Sequence, residues 1–185
     1  KGAIVGGRVS DVMLHVPYDS VLKCRIEQVV FTGQYAVETL AIGYSKDAYP
    51  DDAPTPAYFR FDTVAVENDS ISDFYLASFA RGVTGQGITR YRTSQDAVLA
   101  MTAGETMAVM APQAIIETNI TDGFDLHRPP FPGLARSEWT IGIAVNHQHR
   151  DLGYAVDYAI EKAITNGQVA HIFEQHGVHY IPAKR

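Results

Sequence analysis

The chain has a single cysteine, Cys24, among its 185 residues, so it can form neither an internal disulfide nor a cysteine-cluster metal site. Runs of lysine or arginine are missing too, and the formal net charge is -6 at pH 7. This charge balance argues against a nucleic-acid-binding surface. No apolar stretch approaches the roughly 20 residues that a membrane-spanning helix needs. No secretory signal peptide is visible, and the chain begins at Lys1 rather than at a methionine, as a processed or truncated chain would.

The composition favours a globular α/β protein. Hydrophobic residues make up 46% of the chain and charged residues 19%, so one or two domains with sizeable cores can form. In the middle of the chain, short β-like runs alternate with helix-like segments. We predict strands over 62–66, 88–91 and 106–110, and helices over 71–80, 94–104 and 113–119. This alternation predicts a parallel sheet with helices on its faces.

The predicted helices carry typical start signals. Asn68-Asp69-Ser70 and Ser94 can cap the first two helices, because their side-chain oxygens accept hydrogen bonds from free backbone N–H groups. Pro112 suits the first turn of the third helix, where its missing N–H would be unpaired in any case. The helix N-termini are therefore expected directly after the strands.

Further β-like segments lie near both ends of the chain. Val9–Val16 predicts a short buried strand of the parallel type. Val29–Thr32 and Thr39–Tyr44 flank a predicted turn, and the apolar run Trp139–Val145 has a similar character. From Asp151 onward, apolar residues recur at helical spacing and predict an amphipathic helix. We expect a chain that leaves one lobe, builds a second and returns.

Four motifs follow one another along the chain. They are Gly7–Val12, Arg25 with the Phe31-Thr32-x-x-Tyr35 run, Asp96–Val109 and Ile160–Gly177. In this order and spacing they resemble the extracellular solute-binding protein family 3, the periplasmic receptors of polar amino-acid importers. The resemblance covers nearly the whole chain, from Gly6 to Tyr180.

The resemblance implies an α/β fold of the type II periplasmic binding protein kind, with two lobes joined by two hinge strands. Lobe 1 would comprise residues 1–43 and 142–185, and lobe 2 residues 44–141. Family members normally have further strands before the point at which this chain starts, so lobe 1 is expected to be incomplete. The resemblance also implies a periplasmic location.

The resemblance also implies a site for a carboxylate. Arg25 matches the arginine whose planar guanidinium pairs with both carboxylate oxygens, and Ser20 matches a hydroxyl that shares the same carboxylate. The alternative for Arg25 is a solvated surface charge, as for most arginines. Tyr18 and Tyr35 are the two aromatic residues that we expect near a ligand.

Asn68, Asp69 and Ser70 match the loop of the second lobe that clamps the carboxylate with amides and a hydroxyl. Free N–H groups and the helix dipole favour an anion at such a helix start. Glu67 and Asp69, however, place negative charge there and would repel an anion. An ordinary helix cap accounts for Asp69 and Ser70 equally well.

Pro112 is the largest departure from the family pattern. Amino-acid receptors have an aspartate at this position, which pairs with the α-ammonium of the ligand. Proline offers no charge and no N–H, and burying an ammonium without an anionic partner costs several kcal/mol. We therefore expect that no standard α-amino acid is the ligand.

A narrower resemblance rests on Asp11–Pro17 and on Thr32-x-x-Tyr35. These segments are similar to the branch of solute-binding-like proteins that accompany periplasmic quinoprotein (methanol) dehydrogenases. The resemblance implies a non-enzymatic accessory or activating partner of such a dehydrogenase. The alternative is an ABC-importer receptor for a small anionic solute. No spacing supports a nucleophilic triad, a resident cofactor or a metal site, so we expect no enzyme.

Overall fold

A computed structural model describes residues 11–18 and 29–184 of the chain. Cys24 and two of the predicted ligand-binding residues, Ser20 and Arg25, lie outside the described residues. The other predicted site residues lie within them: Tyr18, Tyr35, Asn68, Asp69, Ser70 and Pro112.

The described residues form seven strands and five α-helices. The strands are β1 Val12–Pro17, β2 Val29–Ser45, β3 Val64–Glu67, β4 Ile88–Tyr91, β5 Ala108–Pro112, β6 Phe124–His127 and β7 Glu138–Asn146. The α-helices are α1 Ile71–Ser78, α2 Ser94–Thr102, α3 Gln113–Glu117, α4 Arg150–Thr165 and α5 Gln168–Gln175. Short 3-10 segments occupy Tyr58–Arg60, Phe79–Gln86 and His147–His149.

The chain divides into two compact units. Unit 1 consists of Lys1–Glu38 and Glu138–Arg185, and unit 2 of Thr39–Ser137. The chain passes from unit 1 to unit 2 within β2 and returns just before β7. The lobe boundaries expected from the sequence lie a few residues further along the chain at both crossings, and they stay a prediction.

Unit 2 contains a mixed sheet rather than the predicted parallel one. β3 pairs in parallel with β4 and with β5. The C-terminal part of β2, however, pairs antiparallel with β5 (Leu40 opposite Pro112), and β6 pairs antiparallel with β2. The prediction was wrong for the pairing of β2 with β5. β2 comes directly from unit 1, and no helical crossover turns the chain so that β2 and β5 run parallel. β6 escaped prediction because its four residues, Phe-Asp-Leu-His, show little apolar periodicity.

The core of unit 2 lies between this sheet and helices α2 and α3. The buried side chains of one cluster in this core are small or branched, except for Met101. They are Ala41, Ala65, Ala97, Val98, Met101, Val109, Ala111 and Ile116. The central strands β3 and β5 are buried along nearly their whole length, which explains why they read as continuous apolar runs rather than alternating ones.

In unit 1, β1, β7 and β2 lie side by side in that order. β1 pairs antiparallel with β7, and the register slips between Met13 and Val16. The predicted buried parallel strand is therefore wrong in orientation and in burial, since Met13 is 40% and Leu14 62% exposed. Apolar residues alone could not distinguish a central strand from one at the end of a sheet.

Strand β2 runs straight through the predicted turn at Gly33. This glycine has φ +57°, a value that L-residues rarely adopt, and its N–H donates to Asp157 Oδ1 on α4 at 3.0 Å. Buried positions alternate at 29, 31 and 33, the last being the glycine itself, and continue at 36 and 38 after it. Gly33 therefore acts as a local irregularity that shifts the facing of the strand by one residue.

The helix starts differ in detail from those predicted. Thr93, not Ser94, caps α2, and its side chain accepts the N–H of Asp96 at 3.0 Å. Pro112 ends β5 and stands just before α3 rather than in its first turn. Ser70 does cap α1, as predicted. Within the part of the chain that the structure describes, no helix is both long and apolar enough to cross a membrane.

Gly87 permits a close backbone approach in unit 2. A Cβ at this position would lie 2.5 Å from the Asp62 carbonyl oxygen, whereas a Cβ on Gly85 would meet nothing within 4 Å. Gly87→Ala should therefore lower the free energy of unfolding by about 2 kcal/mol, measured by urea denaturation. Gly85→Ala is the matched control in the same segment and should leave the urea midpoint nearly unchanged; equal midpoints for the two variants would contradict the packing.

Candidate functional site

The carboxyl ends of three parallel strands meet at one edge of unit 2. β3 ends at Glu67, β4 at Tyr91 and β5 at Pro112. In open α/β sheets, ligands bind outside the carboxyl ends of the strands, where helix N-termini and loops converge. The predicted residues Asn68, Asp69, Ser70 and Pro112 all lie at this edge, which makes it the first candidate site.

The amides of the Asn68–Ser70 loop are already in use. Asn68 N–H donates to the Tyr91 carbonyl at 2.8 Å, Ser70 N–H to the Glu67 carbonyl at 3.3 Å, and Asp69 N–H to Asp73 Oδ2 at 3.1 Å. Ser70 Oγ accepts the N–H of Asp73 at 3.2 Å. Because these amides have internal acceptors, the geometry favours an ordinary helix cap over a clamp for a carboxylate.

A carboxylate of the protein itself occupies the start of α2. Glu67 Oε2 accepts from Ser94 N–H at 2.9 Å and from Ser94 Oγ at 2.5 Å. A helix N-terminus stabilises negative charge through its free N–H groups and its dipole. Glu67 therefore fills the position that an external anion would take at this helix.

Arg90 supplies the positive charge that balances the loop. Its guanidinium forms a two-pronged contact with Asp73, with Nη2 2.8 Å and Nε 3.0 Å from Oδ1. The Asp73 side chain is only 6% exposed and that of Arg90 is 42% exposed. The hydrogen bonds to Asp73 raise the pKa of Arg90. This guanidinium is therefore committed to an internal carboxylate.

Pro112 brings no charged partner to the edge. The residue after it, Gln113, is 6% exposed, and its Nε2 donates to Glu117 Oε1 at 2.6 Å. The Gln113 Oε1 atom is buried without a hydrogen-bond partner, which is uncommon in folded proteins. Pro112 and Gln113 are both uncharged, so neither offers an anion at the end of β5.

A cavity of about 570 Å³ lies within unit 1, a volume in the range of small-molecule pockets. The residues that form its walls come from β2, from α4, from the residue after β1 and from the last residues of the chain. They include Tyr18, Phe31, Thr32, Gln34, Asp157 and Lys184. Tyr18 packs edge-on against Phe31, with ring centroids 6.4 Å apart. Of the residues predicted near a ligand, the described part of unit 1 brings Tyr18 to this cavity.

Tyr35 does not line this cavity, although it follows Gln34 directly. The shift at Gly33 turns Tyr35 toward other neighbours, and burial together with the nearby charge of Glu38 raises its pKa, while a hydrogen bond from the His15 backbone opposes the shift. Its carbonyl accepts from the Tyr180 hydroxyl at 2.8 Å. The two predicted ligand tyrosines therefore lie in different surroundings.

Gln34, Asp157 and Lys184 line the cavity although no motif in the sequence predicted them there. They come from three separate segments, and no local pattern connects them. Across the described residues, no group of three or more histidine, cysteine, aspartate or glutamate side chains could hold a metal ion.

No protein-family model matches the chain, and no curated protein sequence matches it. Solved structures do match. An ancestral cationic amino acid solute binding protein superposes with a TM-score of 0.74 at 16% identity, over 95% of this chain and 72% of that chain. The substrate binding protein of an amino acid ABC transporter gives a TM-score of 0.68 at 14% identity, over 94% and 73%. A histidine kinase sensor domain with similarity to periplasmic binding proteins gives 0.64 at 22% identity, over 98% and 75%.

The chain therefore has the two-lobed, mixed α/β fold of type II periplasmic binding proteins, as the sequence predicted. These neighbours are binding or sensor proteins rather than enzymes. At identities this low, the likeness carries the fold and nothing finer. None of the comparisons links the chain to the branch that accompanies quinoprotein dehydrogenases, so the narrower resemblance has no support.

The ion pair at the edge of unit 2 can be tested directly. Arg90→Met leaves the buried Asp73 carboxylate without its cation and should lower the free energy of unfolding by about 2 kcal/mol, measured by urea denaturation. Arg92→Met removes an exposed arginine two residues away and should change stability by less than about 0.5 kcal/mol. A loss in the Arg92 variant as large as that in the Arg90 variant would contradict the role of the pair.

Proposed function

We propose that the chain is a solute-binding receptor of the ABC-importer type, acting in the periplasm, for a small anionic solute that is not a standard α-amino acid. The observation that carries the proposal is the fold. A receptor fold matches 95% of the chain at a TM-score of 0.74, and a neighbour of the same fold is the substrate binding protein of an amino acid ABC transporter. The proposed role is binding without catalysis.

The chemistry at the edge of unit 2 supports a ligand other than an α-amino acid. Pro112 cannot pair with an ammonium, and the neighbouring Gln113 is neutral. The amides around Asn68, Asp69 and Ser70 have internal acceptors. We therefore assign recognition of the solute's negative charge to unit 1, with Arg25 and Ser20 as the proposed carboxylate partners.

The accessory role beside a quinoprotein dehydrogenase is the weaker proposal. It rests on the short Asp11–Pro17 motif, and β1, which contains most of that motif, is a largely exposed strand. No structural neighbour named above is such an accessory protein. An importer permease is therefore the partner that we would seek first.

Thermal unfolding with a panel of solutes tests the receptor. A ligand at a hundred times its Kd adds about 2.7 kcal/mol of stability, which raises Tm by several degrees in a chain of this size. We expect this shift with at least one small carboxylate that lacks an α-ammonium, and none with the twenty standard amino acids at millimolar concentration. A clear shift with any standard amino acid would contradict the proposed solute class.

Arg25→Lys should abolish that shift, because an ammonium cannot form the two parallel bonds of a guanidinium. Arg92→Lys serves as the matched control and should retain it. Binding to a co-encoded importer permease in detergent solution tests the partner separately. A protein that neither shifts with the panel nor binds the permease would not be an importer receptor.

A further inference from the structure

The unit 1 cavity is lined by polar groups of both charges. Within residues 11–18 and 29–184, Thr32, Gln34 and Lys184 make no side-chain hydrogen bond or ion pair with one another or with their neighbours. Asp157 uses one carboxylate oxygen, Oδ1, for the Gly33 N–H, and its second oxygen makes no further hydrogen bond to the described residues. Asp157 and Lys184 are solvent-exposed, so both charges are accessible to a solute that enters the cavity.

One wall of the cavity is aromatic. Phe31 is 8% exposed and belongs to a core cluster with Val29 and Ala144, against which Tyr18 packs. The Tyr18 N–H donates to the Thr140 carbonyl at 2.8 Å, which holds the backbone of Tyr18 beside β7. Edge-to-face contacts of this kind favour a further aromatic ring, so the wall suits a flat apolar group.

From these groups we infer that the unit 1 cavity binds an aromatic monocarboxylate that also carries a hydrogen-bond donor. Lys184 pairs with the carboxylate, the Tyr18–Phe31 wall contacts the ring, and the free oxygen of Asp157 accepts the donor. The inference rests on the proposed function, since it names the solute class of that receptor. It is independent of whether Arg25 contributes to the same carboxylate.

Asp157 has a second task as a positioning residue. Its Oδ1 holds the Gly33 N–H at the point where β2 changes facing. A Cβ on Gly33 would lie 3.2 Å from Ile143 Cδ1, so the strand has little room to move there. The same carboxylate thus fixes the wall and offers an acceptor to the solute.

Isothermal titration calorimetry with three probes tests the inference. We expect para-hydroxyphenylacetate to bind the full chain, and phenylacetate and para-hydroxybenzyl alcohol to bind more weakly because each lacks one of the two polar groups. Lys184→Gln should weaken para-hydroxyphenylacetate by about tenfold, the loss of one charge-assisted bond. Lys184→Arg should restore most of the affinity.

Asp157→Asn keeps an oxygen for the Gly33 N–H but loses the carboxylate charge. It should therefore remove most of the preference for para-hydroxyphenylacetate over phenylacetate without changing Tm greatly. Lys162→Gln, on the same helix but placed over the Tyr158 ring at 4.8 Å, is the matched control and should bind all three probes as the unaltered chain does.

Failure of the inference and failure of the receptor give different results. If none of the three probes binds at millimolar concentration, or if Lys184→Gln binds para-hydroxyphenylacetate as tightly as the unaltered chain, the cavity assignment is wrong. In that case, another solute from the panel that still shifts Tm would leave the receptor function standing. Absence of every shift and of permease binding would overturn both.

Discussion

Strand β2 is the element on which both units depend. It spans Val29–Ser45, lies beside β7 in unit 1, and pairs with β5 and β6 in unit 2. Residues 38–43 of this strand are all buried, and a buried backbone must have its N–H and C=O groups paired. The strand therefore has to satisfy two different sheets with one continuous backbone, and neither unit has a complete sheet without it.

That requirement explains the role of Gly33. Unit 1 needs Phe31 on its core side, and the later part of the strand needs Ala36 and Glu38 buried. A regular alternation cannot place odd positions inward and then even ones. Gly33 adopts a left-handed conformation, which allows the buried face of the strand to change from odd to even positions. The Gly33 N–H then donates to the Asp157 side chain. The cavity wall of unit 1 is thus a consequence of how β2 serves two sheets.

In unit 2 the governing feature is internal charge neutralisation. Glu67 lies at the start of α2, Asp73 near the start of α1, and Arg90 pairs with Asp73. A site that binds a carboxylate needs free donors, and here the protein's own carboxylates use them. The fold is shared with amino-acid receptors, but the polar groups at this edge serve stability. This contrast separates the identity of the fold from the identity of the ligand.

The sequence predicted the elements with strong local signals. Strand β4, the Ser70 cap of α1 and the helix that follows Asp151 were recognisable because turn, cap and periodicity signals act over a few residues. Strand β6 and the exposure of β1 were not, since both depend on which neighbour lies beside them. The Asn68-Asp69-Ser70 loop shows the same limit, because its position was predictable and the partners of its amides were not.

Amino-acid order alone predicted the fold class and showed that position 112 is an uncharged proline. Tertiary structure decided which polar groups remain available. Glu67 and Ser94 are 27 residues apart and Gly33 and Asp157 are 124 apart, and only folding shows that each pair is bonded. The same folding brings Tyr18, Phe31, Asp157 and Lys184 around one cavity, because chain entropy and packing, rather than local propensity, set which distant segments meet.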